Sequence, residues 1–414
     1  MSIFALITAG VAGCTKDKPA DTGPVGEIRI GLVTSLSGPD AKAGTDAEHG
    51  AQLALEIVNS DLGDLDLPLG PGAGLPRLRG AKVSIVTADT GGSADQAVAK
   101  AVELLSAGEV KALVTANSAE ITSAVVQRTE RVRVPVVDGR SSAGFLTSLG
   151  LDNFFRTAPA DRDLGTSAYS LLRARGTGTR RIAIITAADA SATTMVPALK
   201  DLAAEAGLDV AVTVEYPAGA ADLTAAAQKV RAANPDAVLA FADAHTDAAA
   251  AVRAVLNKGA ALPIIGMGTG FVADEFGTAI GTAGEGVFRV TPWSAQLAAR
   301  QPISKTILDR YQQRFNTPMS DIAAGAFTAT LTLASAINDA GAYEPDKVRV
   351  AMLATRLSGS RTIMPWDGVQ FRENGQNTLA SGAVEQLSAG KFQVVYPREL
   401  ASAQVAWPAA EKKS

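Results

Sequence analysis

Chemistry in this chain gathers in hydroxyls and carboxylates that follow short apolar runs. The stretch Ile28–Asn59 opens on an apolar run from Ile28 to Val33 and passes through the turn Ser37-Gly38-Pro39. It then enters a segment where Ala47, Ala51, Ala54 and Val58 recur at helical spacing, with Thr45 as its expected cap. A strand that ends in a hydroxyl-bearing loop ahead of a helix is the unit from which α/β proteins build small-molecule sites. The arrangement recurs. Ser118 opens a helix after the strand Lys111–Ala116, Ser141 and Ser142 follow the strand Val134–Val137, and Asp243 follows the strand Ala237–Phe241. Each also has a plain structural reading: Ser118 as a helix cap, Ser37 as a turn residue, Asp243 as a loop or cap carboxylate.

Motifs for bond-breaking chemistry are scarce. There are two histidines and one cysteine, and no Gly-x-x-x-x-Gly-Lys-Ser/Thr, His-Glu-x-x-His or Gly-x-Ser-x-Gly sequence. The segment Gly266–Gly270 lacks the third spaced glycine of a dinucleotide fingerprint. Asp243-x-His245-x-Asp247 offers metal-ligand side chains, but alternate residues at the start of a helix need not converge. No metal, cofactor or enzymatic activity is expected. His49, on the first helix, is expected to be a packed or surface side chain.

The elements that must position these groups alternate. Strands are expected near Ile28, Lys82–Ala88, Lys111–Ala116, Val134–Val137 and Phe154–Thr157. A second series follows at Arg181–Thr186, Val210–Val214, Ala237–Phe241, Ile264–Gly266 and Val287–Val290, with helices between most of them. Alternation of this kind implies βαβ units and parallel sheets with helices on both faces. Leu62–Arg79, rich in Gly, Pro and Leu, reads as a surface excursion. Three consecutive helices are expected at Ile303–Phe315, Ile322–Ala340 and Pro345–Leu353. The stretch from Thr362 to Tyr396 reads as short strands, with turns at Asp367-Gly368 and Asn374-Gly375.

At 414 residues the chain is long enough for about two domains. It is 47% apolar and 19% charged, which fits a globular protein and excludes a largely disordered one. A net charge of −4 with no Lys/Arg cluster argues against nucleic acid as a partner. A lone cysteine excludes an intrachain disulfide. Cys14 follows the apolar run Ile3–Ala9 and ends Val11-Ala12-Gly13-Cys14, which reads as a lipobox. Residues 1–14 are thus expected to be a lipoprotein signal segment and Cys14 its lipidation site. Residues 15–26 form a flexible tether that holds the folded body at a membrane surface on the extracytoplasmic side.

In its wording, the opening strand–Ser-Gly-Pro–helix unit resembles the branched-chain amino-acid (Leu/Ile/Val) binding proteins, the type I periplasmic substrate-binding proteins of ABC transporters. Further stretches match in order: Thr87-Ala88-Asp89, Asn117-Ser118, Val134-Pro135-Val136-Val137 before Ser141-Ser142-Ala143, Phe154-Phe155-Arg156-Thr157, Asn234-Pro235-Asp236, and Trp366-Asp367-Gly368 through Gly375. The resemblance implies two Rossmann-like lobes with a ligand cleft between them, joined by three crossings near Ala158–Asp161, Val290–Pro292 and Met364–Gly368. Lobe one would be residues 27–159 plus 291–363, and lobe two 160–290 plus 364–408, with 409–414 as a tail. It further implies a small polar, amino-acid-like ligand, an ABC permease as partner, and hinged closure. Ser118, Ser141 and Ser142, with Asn117 and Ser37 nearby, would hold an anionic group, and Asp243 a cationic one. Ser191 and Thr269 fall at second-lobe positions of the cleft. Ala43 and Ser191 stand where amino-acid-binding members carry aromatics, and Gly266–Gly270 lacks the expected acidic residue, so a branched-chain ligand is not implied. A ligand sensor or a protein-binding scaffold on the same fold is the alternative.

Overall fold

A computed structural model describes residues 26–63, 65–108, 110–174, 178–257, 262–272 and 274–407. Cys14, the signal segment, the tether before residue 26 and the 409–414 tail lie outside the described residues. The chain begins with β1 (Ile28–Thr34), α1 (Ala41–Asn59), β2 (Val83–Asp89), α2 (Ala94–Ser106), β3 (Val110–Thr115), α3 (Ala119–Glu130), β4 (Val136–Asp138) and β5 (Phe154–Arg156). These strands form one parallel sheet in the order β2-β1-β3-β4-β5. The chain then runs through α4 (Asp161–Ala174), β6 (Arg181–Ala188), α5 (Ala192–Ala206), β7 (Asp209–Pro217), α6 (Thr224–Ala232), β8 (Ala237–Phe241), α7 (His245–Leu256), β9 (Ile264–Met267), α8 (Thr269–Val272), α9 (Asp274–Ile280) and β10 (Phe288–Thr291). Next come α10 (Ala295–Ala298), α11 (Pro302–Phe315), α12 (Asp321–Ala340), α13 (Pro345–Ala354), the short pair β11 (Arg356–Ser358) and β12 (Gly368–Gln370), and finally β13 (Ala383–Ser388) and β14 (Lys391–Tyr396). The second sheet runs β14-β13-β10-β9-β8-β6-β7, parallel from β7 to β10, with β13 and β14 antiparallel at its edge.

Each sheet buries both faces, so its strands are apolar runs rather than alternating ones. Ile30, Leu32 and Val33 in β1 and Ile182 to Ile185 in β6 are fully buried. The largest cluster packs β1, α1, α11, α12 and α13 together, whereas β6, β8, β9 and β10 are sealed by α4 and α5 on one face and by α6 to α9 on the other. Helix α12 carries no charged side chain from Ala323 to Ile337 and is buried over that whole stretch, as a helix enclosed by its own lobe must be. Among the described residues no helix is long and apolar enough to cross a membrane.

Three expectations change. Helix α1 starts at Ala41, and Thr45 lies inside the helix, one turn on, with its hydroxyl donating to the Ala41 carbonyl at 2.9 Å, so Thr45 is not the cap. The 62–79 stretch is not a mere surface excursion, because Leu65, Leu67, Leu75 and Leu78 insert into the first lobe's core. The last passage between lobes is not at Met364–Gly368. Met364, Trp366, Val369, Phe371 and Ala380 all pack in the first lobe's core, and the chain reaches the second sheet at Ala383. The turn residues there mark a break in the chain path rather than a change of lobe. Gln376 and Asn377 explain why the segment stays: their side chains donate to the carbonyls of Ala158 and Thr157, tying it to the first crossing.

Candidate functional site

Two adjoining cavities open where the carboxyl ends of both sheets face each other. The inner one is small, about 50 Å³, and lies beside the crossings, walled by Ala158, Pro159, Leu164, Val272, Pro292, Met364 and Trp366. The outer one is about 540 Å³ and lies between the start of α1 and the loops after β6 and β8. Arg140, Thr269, Asp321 and Ile322 line both.

Local sequence fixes the first-lobe wall. Strand β4 ends in Asp138, whose carboxylate accepts from the backbone N–H groups of Arg140 and Ser141, each at 3.1 Å. That bond pair folds the loop back over the strand end. Gly139 and Gly325 let this loop and α12 approach closely, since a Cβ on Gly139 would lie 2.4 Å from the Gly325 carbonyl oxygen. Arg140 is thereby set in the cleft, where its guanidinium reaches only the Ala116 carbonyl, at 3.5 Å, and pairs with no carboxylate among the described residues.

The second-lobe wall follows the same plan with different charges. Asp189, just after β6, accepts from the Ala192 N–H at 2.9 Å and so caps the start of α5. Asp243, two residues after β8, accepts from the backbone N–H and hydroxyl of Thr269 at 3.3 and 3.2 Å. Gly268 has φ +94°, a left-handed conformation that favours glycine, and this turn delivers Thr269 to Asp243. Asp247 is 5% exposed and accepts from the Gly219 N–H with both oxygens.

Among the described residues, the outer cavity is lined by Asp40, Asp46, Asp189, Asp243, Asp247, Glu275 and Asp321 against Lys42 and Arg140 as fixed cations. Lys42 spans the mouth, 3.3 Å from Asp46 on its own helix and 3.8 Å from Glu275 on the other lobe. The Asp189 carboxyl sits above its ordinary range, chiefly through partial burial and then through repulsion from Asp243, with the Ala192 N–H opposing. Beneath the cleft lies a buried polar floor. Arg156 is fully buried and donates to Gln376, the Ser141 and Ala143 carbonyls and Thr147. Burial pushes Asp138 up to about 7 and Asp161 up to about 6, against the pull of backbone N–H groups and the Arg156 charge.

Of the residues singled out from sequence, Ser142, Thr269 and Asp243 line the cavities. Ser118, Ser141, Asn117, Ser37 and Ser191 line neither. Ser118 caps α3 by accepting from the Ile121 N–H, and Ser141 is buried in the loop, accepting from the Ala143 N–H. The Asn117 amide donates to the Val33 carbonyl and the Thr115 hydroxyl, tying β1 to β3. Ser37 donates to Asp89 at 2.6 Å, and Ser191 is buried at the start of α5. Asp243, His245 and Asp247 line the same cavity, yet among the described residues no three metal-ligating groups converge. His49 stacks on Phe315 at 4.0 Å between ring centres. Sequence reasoning missed Arg140, Asp189, Asp321 and Trp366. The first two carried a usable signal, a charged residue within two positions of a strand's carboxyl end; Asp321 and Trp366 arrive from distant segments and had none.

Comparison with known proteins agrees with this fold. The sequence matches the family model described as periplasmic binding protein over residues 27–391. It is 24% identical over 395 residues to Leu/Ile/Val-binding protein homolog 7 of Brucella abortus (strain 2308), covering 92% of this chain and 94% of the relative. The branched-chain amino acid transporter substrate-binding protein LivJ of Streptococcus pneumoniae, solved in complex with isoleucine, superposes with a TM-score of 0.72 at 20% identity, over 89% of this chain and 99% of that one. An ABC transporter solute-binding protein of R. palustris, solved with benzoate, gives a TM-score of 0.70 at 19% identity, over 93% and 98%.

Proposed function

This chain belongs to the periplasmic binding protein family, a family of solute receptors rather than enzymes, and on that premise we propose that it captures a small polar, amino-acid-like ligand for an ABC permease. The observation that carries the reading is the cleft itself: about 540 Å³ of space whose walls come from the strand ends of both lobes and carry charges of both signs. Arg140 and Ser142 take the anionic group from lobe one, and Asp243 takes the cationic group from lobe two. Ser118 and Ser141 act by holding the loops that present them. A ligand touching both walls favours the closed arrangement by its extra affinity for that arrangement, and closure unites surfaces of both lobes for the permease. Isoleucine and benzoate in the two solved relatives support a cleft of this kind serving carboxylate ligands of different shape.

The receptor is extracytoplasmic and held to a membrane through a lipid on Cys14. Mass spectrometry of the membrane-extracted protein tests that part: a lipid-modified N-terminal cysteine supports it, and an unmodified Cys14 in a soluble fraction contradicts it. The binding reading is tested by a thermal-shift screen of the full chain against amino acids, amides, short peptides and polyamines, since a ligand specific for the native state raises the Tm. A raised Tm followed by a saturable calorimetric titration supports it, with Ser142→Ala weakening binding in a chain that still folds. No response to any compound contradicts it.

A further inference from the structure

The charges of the outer cavity do not balance, and the imbalance bears on the ligand. Lys42 is shared by Asp46 and Glu275, and Asp247 is turned to the Gly219 N–H. Asp40, Asp189 and Asp243 have no basic partner among the described residues. Asp40 precedes α1 without capping it, and Asp189 and Asp243 accept only from backbone N–H groups and the Thr269 hydroxyl. One ammonium group would answer one of these carboxylates and leave the others repelling each other in a partly enclosed space, where charges interact more strongly than in water.

A second, independent feature lies in the inner cavity. Trp366 forms part of its wall and is 4% exposed, and its indole N–H has no acceptor among the described residues. A buried donor without a partner costs stability, so it marks a place where a ligand acceptor is wanted. Arg140, common to both cavities and in direct ion-pair contact with no carboxylate among the described residues, stands nearby. The apolar side chains of Leu164, Val272, Pro292 and Met364 complete that wall.

We infer that the ligand is a basic amino acid: a carboxylate held by Arg140 within reach of the Trp366 N–H, and two cationic groups spread over Asp40, Asp189 and Asp243. The inference rests on the binding reading above and narrows it. A bare diamine would satisfy the carboxylates but leave the Trp366 N–H without an acceptor and Arg140 without a carboxylate. A neutral amino acid would leave the carboxylate excess standing.

The test is calorimetric titration of the full chain with L-lysine, L-arginine, putrescine, L-leucine and L-glutamate in parallel. The expected result is that lysine or arginine binds at least about tenfold tighter than leucine and putrescine, that glutamate gives no heat, and that added salt weakens the basic ligand. Asp189→Asn with Asp243→Asn should remove about tenfold of that affinity at a Tm no lower than the parent's, which separates lost binding from lost folding. Leucine or glutamate binding as tightly as lysine and arginine overturns the inference and leaves the binding reading standing. Putrescine binding as tightly as either overturns the amino-acid assignment in favour of an amine. No binding of any of the five overturns the inference, and the binding reading falls with it only if the wider screen is also silent.

Discussion

The two walls of the cleft are both built from strand ends, yet they are stabilised in different ways. Among the described residues, lobe one supplies the fixed cations lining the outer cavity, Lys42 and Arg140, and backs its wall with a buried network of Asp138, Arg156 and Gln376 that meets Asp161 at the start of α4 in lobe two. Lobe two supplies Asp189, Asp243, Asp247 and Glu275, with no Lys or Arg lining the cavity among its described residues. Asp189 and Asp243 are oriented by a helix start and a threonine rather than by opposite charges. The difference separates two jobs. A wall with its own internal partners stays in place without ligand, whereas a wall of like charges is stabilised when a cation arrives.

That contrast can be broken most forcefully in lobe one. Arg156→Ala removes a fully buried guanidinium, deprives Asp161 of its counter-charge and Asp138 of the larger of its two, so urea denaturation should show a loss of about 3–5 kcal/mol. A loss under about 1 kcal/mol would mean that the network does not brace the wall.

Acidity probes the same floor more gently. Asp138 and Asp161 have folded values near 7 and 6, above their unfolded value of 3.8, so between these limits the folded state holds the extra protons. Their contribution therefore falls as pH rises from about 4 through 7, by at most about 1.4 kcal/mol per pH unit for each group, and is constant above that. Asp161→Asn should flatten its share of the slope in a pH series of denaturation curves. An unchanged slope would show that Asp161 does not titrate in this window.

Two smaller changes sharpen the assignment of roles. Trp366→Phe keeps the ring and deletes only the unpartnered N–H, so it should cost about 1 kcal/mol of ligand affinity at unchanged or higher Tm. Equal affinity would take the indole out of the site. Ser118→Ala removes a cap and should cost about 1 kcal/mol of stability while leaving Kd unaltered. A weakened Kd with unchanged stability would return Ser118 to direct ligand contact.

Much of the scaffold was legible in the sequence because fully buried parallel strands are apolar runs of four to eight residues with turns at both ends. The strand Ala237–Phe241 falls at its expected bounds, and α12 begins one residue before its expected start. The last interlobe passage was not legible, since what holds residues 364–380 to lobe one is a set of side-chain bonds from Gln376 and Asn377 to a partner some 220 positions away. The site was half legible for a related reason. Ser142, Asp243 and Thr269 follow strands directly, so local pattern points to them. Ser118 and Asn117 satisfy the same pattern, but their polar atoms are turned to caps and strand ties, which only three-dimensional contacts reveal. Asp321 and Trp366 reach the cleft from a helix start and a late turn, and no local spacing links them to it.

The most direct measurement titrates L-arginine and L-lysine calorimetrically into the full chain and into its Asp189→Asn/Asp243→Asn variant at low and high salt. The account predicts a single saturable site for at least one of them, weakened by salt in the parent and at least about tenfold weaker in the variant at an undiminished Tm. The same Kd for parent and variant, indifferent to salt, would contradict it.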